Sequence, residues 1–166
     1  MDINTERGSR GTSDPIANPL LRPVLVVEDN DNDAELLRLL FRRSRILNPL
    51  EVVATVHDAM CYLKGEGEYA DRARYPFPAL VLVDSHLTDG SGFDLLRWLQ
   101  VHKTPNPLAI VMLTGSDVNA FKTSYELGAH SFLTKPLKFE DFQNMVERVR
   151  GIKLTRTAEG HLLEPE

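Results

Sequence analysis

The sequence predicts an α/β protein: a three-layer, doubly wound parallel sheet built from five βα units. The first observation is a set of short apolar runs: Val24 to Val27, Val52 to Val56, Leu80 to Val83, Leu108 to Leu113 and Ser131 to Leu133. Runs of this length, bounded by turn residues, suit strands buried on both faces of a sheet. The second is that helix-length stretches separate them, so parallel pairing through right-handed crossovers is expected. The third is that polar residues gather where the runs end: Glu28-Asp29, Asp84, Thr114 and Lys135-Pro136. In such sheets the carboxyl ends of the strands form the ligand crevice, so these groups should converge.

The elements follow in order. Residues 1–22, rich in Gly, Ser, Asn, Asp and Pro, are expected to form a flexible N-terminal arm. Leu36, Leu37, Leu40 and Phe41 recur at helical spacing, predicting a first helix over about Ala34 to Ser44. Asp58 is a candidate cap for a short helix running to Leu63. Gly65 to Pro78, with two glycines and two prolines, is a longer loop than a βα unit usually needs. A third helix is expected over Phe93 to Val101, ending before Pro105 and Pro107. A fourth spans Val118 to Leu127 and stops at Gly128, and a fifth covers Glu140 to Val149. The core domain is thus residues 23–150, and residues 151–166 read as a polar C-terminal tail.

Composition narrows the function. The 166 residues carry a net charge of -5, and 42% are hydrophobic, as in an ordinary globular domain. Nucleic acid is not an expected partner, because phosphate backbones need clustered cations. Arg38, Arg42, Arg43 and Arg45 form one basic patch, read as a solvated helix face. Cys61 is the single cysteine and has no internal disulfide partner, which with the missing apolar leader points to the cytoplasm. It is expected to be a small buried residue rather than a reactive thiol. No apolar stretch approaches membrane length.

The strand-end residues suggest a chemistry. Two adjacent acids at a loop, Glu28 and Asp29, suit a hard cation such as Mg²⁺ or Mn²⁺ that keeps most of its water. Asp29, Asp31 and Asp33 have the spacing of a calcium loop, but Ala34 stands where glycine is needed and Leu40 where a bidentate Glu is needed. Asp84 alone could equally cap the turn into Gly90-Ser91-Gly92, but together with the other three strand ends it reads as a nucleophile, whose carboxylate can accept a phosphoryl group beside a cation. Thr114 offers a hydroxyl to a phosphoryl oxygen and Gly115 an open backbone N–H; either alone could be turn chemistry, but the pair after an apolar strand fits better with a binding role. Lys135 would meet the phosphoryl group as a point charge, and a cis bond to Pro136 would mark a fixed tight turn.

The motifs Val26-Val27-Glu28-Asp29-Asn30, Leu82-Val83-Asp84, Leu113-Thr114-Gly115 and Phe132-Leu133-Thr134-Lys135-Pro136 occur in the order of one known family. Over about Pro23 to Arg150 the chain resembles the receiver domain of two-component response regulators. That resemblance implies a flavodoxin-like (βα)5 sheet with strand order 2-1-3-4-5. It implies a phosphoacceptor at Asp84 and a metal site of Glu28, Asp29, Asp84 and the His86 backbone carbonyl. It implies phosphoryl contacts from Ser85, Thr114, Gly115 and Lys135, with Thr114 and Phe132 as switch residues. The donor would be a sensor histidine kinase. The loop Gly65 to Asp71 and the run Ser124 to Ala129 look like the stand-alone subgroup associated with bacterial phytochromes, which suggests a photoreceptor kinase and a homodimer. The chain departs from the family pattern at Thr88, where proline is usual, and at His86, which bears on water access to the phosphoryl group.

The rival reading is a phosphatase of the haloacid dehalogenase type, which also uses an Asp after an apolar strand. Asp84-Ser85-His86-Leu87-Thr88 lacks that family's second Asp, and the metal-binding acids precede the nucleophile instead of following it. For a switch, output is expected through the face of helix four, strand five and helix five toward an unidentified downstream protein.

Overall fold

The computed structural model describes residues 21–115 and 117–166. Five parallel strands, β1 (Val24–Val27), β2 (Leu50–Val53), β3 (Leu80–Asp84), β4 (Ala109–Thr114) and β5 (Ser131–Thr134), form one sheet in the order β2-β1-β3-β4-β5. Between and after them lie α1 (Asp31–Arg43), α2 (Val56–Lys64), α3 (Gly92–Val101), α4 (Val118–Glu126) and α5 (Phe139–Arg148). The expected fold class and strand order therefore hold.

Alternation along each strand divides the core in two. Val24, Val26, Leu80, Leu82, Val111 and Leu113 meet Leu37, Phe41, Phe142 and Val146 of α1 and α5. Leu25, Val27, Val81, Val83 and Met112 meet Ala59, Tyr62, Leu95 and Leu96 of α2 and α3. Continuous apolar runs are needed because both faces of these strands are covered.

Capping shifts two boundaries from their expected places. Asn30 accepts a hydrogen bond from the Asp33 N–H at 3.0 Å, so α1 begins at Asp31 and not near Ala34. Thr55, not Asp58, caps α2 by accepting from the Asp58 N–H at 3.0 Å. That helix start uses up residues 55 and 56, so β2 ends at Val53. The long loop after α2 is tied down by Arg72, whose guanidinium donates to the carbonyls of Tyr62, Leu63 and Tyr75. Cys61 is half-buried, not fully buried, with Sγ 3.6 Å from His57 Nε2.

Both ends of the chain differ from expectation. The arm lies outside the described residues except for Leu21 and Arg22, and Arg22 donates to the carbonyls of Phe77 and Pro78. Residues 151–166 are not a polar tail: β6 (Ile152–Arg156) and β7 (His161–Pro165) form an antiparallel hairpin. Ile152 and Leu163 enter the core beneath α1 and α5. The buried Asn48 side chain acts as a strand edge, donating to the Leu163 carbonyl at 2.8 Å and accepting from its N–H at 2.7 Å. Gly160 is required there because a Cβ would sit 2.1 Å from the Arg45 carbonyl oxygen.

Asn48→Ala leaves both Leu163 backbone groups buried and unpaired, so a loss of roughly 2–4 kcal/mol is expected. Denaturant unfolding measures the loss. Hydrogen exchange should show faster exchange across β6 and β7, and unchanged protection there would contradict the docking role of Asn48.

Candidate phosphoryl-acceptor and cation site

The site lies at the carboxyl ends of β1, β3, β4 and β5. Glu28 follows β1 directly and is 2% exposed, because its N–H bonds the Val53 carbonyl and holds it in line with the sheet. Its carboxylate accepts from the Asn30 N–H at 3.0 Å and from Lys135 Nζ at 2.5 Å. Burial pushes the Glu28 carboxyl above its ordinary range, and the Lys135 and Asn30 hydrogen bonds only partly offset this. Asp29 is half-buried and accepts from the Thr88 N–H at 2.9 Å.

Asp84 ends β3 and is 8% exposed. One oxygen accepts from the His86 N–H at 2.9 Å and the other from Lys135 Nζ at 2.6 Å. Gly92, at the start of α3, passes so close that a Cβ would lie 2.1 Å from the Asp84 carbonyl oxygen, so only glycine fits. Carboxylate oxygens of Glu28, Asp29 and Asp84 all lie within 4.8 Å of one another. This grouping fits a hard divalent cation in spacing and in donor type.

Lys135 reaches this cluster from the end of β5, its N–H bonded to the Thr114 carbonyl at 2.9 Å and its bond to Pro136 cis. Burial pulls its ammonium pKa down, but hydrogen bonds to Asp84, Glu28 and Asp33 outweigh that and hold it above the ordinary lysine value. The third of these partners, Asp33, was not anticipated as a site residue. It lies 2.9 Å from Lys135 Nζ. Asp33 stands in the first turn of α1, at the end of the acidic run from Glu28 to Asp33, and that run is the signal that could have found it.

The remaining expected residues have the following partners. The fully buried Thr114 donates its hydroxyl to the Gly115 carbonyl at 2.9 Å. Gly115 itself is exposed. Ser85 Oγ lies 3.0 Å from His86 Nδ1, so its hydroxyl is engaged by the neighbouring ring. The His86 backbone sits in a two-rung ladder, His86–Leu87 with Gly90–Ser91, that folds the loop back beside Asp84. Phe132 is half-buried on β5, stacked on Phe121 at 4.0 Å and edge-on to Tyr125 at 5.7 Å. In the basic patch, Arg38 and Arg42 pair with Glu35 on the exposed face of α1. Among the described residues no helix is long and apolar enough to cross a membrane.

A buried aspartate, two neighbouring acids and a lysine thus gather at the carboxyl edge of a 2-1-3-4-5 sheet, the layout of a receiver domain of the response-regulator class. Residues 24–147 match the family model of the response regulator receiver domain, and the chain belongs to that family. It is similar to the response regulator Rcp1 of Synechocystis, with 30% identity over 135 residues, covering 79% of this chain and 88% of that protein. A structure of Rcp1 in an Mn²⁺-bound form superposes with a TM-score of 0.59 at 29% identity, covering 75% of this chain and 88% of that one. The bacteriophytochrome response regulator RtBRR gives a TM-score of 0.74 at 31% identity, covering 85% of this chain and 84% of that one. The phosphorylated cyanobacterial phytochrome response regulator RcpA gives 0.64 at 28% identity, covering 75% and 89%. The phosphatase alternative finds no support among these relatives.

Proposed function

We propose that the chain is a phosphorylation-controlled switch whose Asp84 accepts a phosphoryl group from the phosphohistidine of a sensor kinase. The observation that carries this reading is the acceptor geometry: Asp84 lies within carboxylate reach of Glu28 and Asp29, and Lys135 Nζ is 2.6 Å from its oxygen. An Asp84 oxygen attacks phosphorus, the P–N bond to the kinase imidazole breaks, and the imidazole nitrogen keeps the electron pair. A divalent cation, Mg²⁺ or Mn²⁺, held by Glu28, Asp29, Asp84 and the His86 carbonyl, supplies charge neutralisation at the incoming oxygens. Lys135 stays with the phosphoryl group as a point charge. Ser85 and Gly115 line the same edge.

Thr114 gives up its bond to the Gly115 carbonyl and donates to the phosphoryl group instead. Phe132 then repacks against Phe121 and Tyr125, altering the face of α4, β5 and α5. Val118 (74% exposed) and Tyr125 (52% exposed) make that face the candidate surface for a downstream protein or for a homodimer. The phytochrome response regulators among its relatives support a bacterial phytochrome or similar photoreceptor as the kinase.

Incubation with Mg²⁺ and a small acyl-phosphate donor, followed by intact mass, should show one phosphoryl unit per chain that decays slowly. Continuous turnover of phosphate esters would point to the enzyme reading. Hydrogen exchange on the labelled protein should change at the pocket and across Val118 to Leu133, with light scattering reporting any association. Differences confined to the pocket would rule out this output route.

A further inference from the structure

Lys135 has three N–H donors, and all three are taken: by Glu28 at 2.5 Å, Asp84 at 2.6 Å and Asp33 at 2.9 Å. A phosphoryl group arriving on Asp84 takes over the donor that Asp84 held and brings several acceptor oxygens, more than that one donor can serve, so Glu28 and Asp33 compete with it for the other two. The Glu28 side chain is fully inaccessible and cannot be left unpaired without a large desolvation cost. The Asp33 side chain is 38% exposed, and water can take over from the lysine. Asp33 is the third carboxylate on this single ammonium, and its added negative charge favours a cation and disfavours an incoming phosphoryl dianion.

From this arrangement we infer that Asp33 is a positioning residue that holds Lys135 in the resting state and is displaced when Asp84 is phosphorylated. It thereby tightens cation binding while slowing phosphoryl transfer. The inference rests on the phosphoacceptor reading above. The transfer conserves atoms: an Asp84 oxygen forms the new P–O bond, and the donor's P–O bond breaks with its electron pair leaving on the acyl carboxylate. Asp33 takes no part in that exchange and acts only through Lys135.

The test is Asp33→Asn, near-isosteric and uncharged, with Asp33→Ala as a second variant and Asp33→Glu as the conservative control. Mg²⁺ or Mn²⁺ affinity, measured by calorimetry without any phosphodonor, should weaken roughly three- to tenfold in Asn and Ala, as loss of one nearby, partly screened charge implies. Labelling by a small acyl phosphate at saturating Mg²⁺ should accelerate by roughly threefold or more, with the gap narrowing as ionic strength rises. Asp33→Glu should restore both values. A purely structural role would move both quantities in the same direction. Unchanged cation affinity, or slower labelling in Asn and Ala, would overturn the inference. If the wild type takes no label at all, the phosphoacceptor reading fails, and the cation titrations still decide what Asp33 does.

Discussion

Asp84→Asn is expected to abolish phosphoryl labelling, lowering it by on the order of a thousandfold or more, because removing a nucleophile costs at least that much. The amide oxygen cannot form the acyl phosphate, and no neighbour can replace it. Ser85 turns its hydroxyl to His86, and Thr114 bonds the Gly115 carbonyl. The wild-type adduct should be base-labile and acid-stable, and should map to the peptide carrying Asp84. The fold should survive, since Asn keeps an oxygen for the His86 N–H and Lys135 retains Glu28 and Asp33. Cation affinity should fall with the loss of one of three carboxylates. Intact mass and peptide mapping check the first point, and calorimetry checks the last. Wild-type labelling of the Asn variant would move the acceptor elsewhere.

The sheet was legible because its strands are covered on both faces, which forces uninterrupted apolar runs such as Leu80 to Val83. The convergence of three acids was legible for a related reason: strand ends are fixed by those same runs, which brings Glu28, Asp29 and Asp84 together. Asp33 was not, because its contact depends on the exact start of α1. That start is set by the Asn30 cap, a detail of one hydrogen bond. The terminal hairpin was missed for a different reason. Ile152-Lys153-Leu154-Thr155 does alternate, but its stability comes from a distant partner, Asn48, and from the backbone of Arg45 to Leu47. Local pattern carries no information about such docking. The hydroxyls of Ser85 and Thr114 show a further limit: sequence places a side chain at an edge without fixing its rotamer.

Lys135→Met is expected to destabilise the protein by about 3 kcal/mol at neutral pH, the low end of what breaking a buried ion pair costs. The low end applies because the Lys135 and Asp33 side chains are partly exposed, at 24% and 38%. The deficit should depend on pH, and the sign follows from Glu28. Its folded-state pKa is already raised by burial, so the native state binds a proton more tightly than the unfolded chain does. Stability from this group is therefore greatest below the ordinary carboxylate range and falls as pH rises toward the native value. Without Lys135 the largest opposing influence is gone, the native value rises further, and the window of falling stability widens. The variant should thus be much weaker than wild type at pH 7 and approach it near pH 4 to 5. Divalent cation should rescue it, since a dication replaces the missing positive charge among the same acids and stabilises whatever it binds. Mg²⁺ should then raise the melting temperature of Lys135→Met more than that of wild type, while labelling of Asp84 still falls for want of the lysine contact. A deficit that stays constant from pH 4 to pH 8, or equal Mg²⁺ shifts in the two proteins, would show that Lys135 does not carry the charge balance of this pocket.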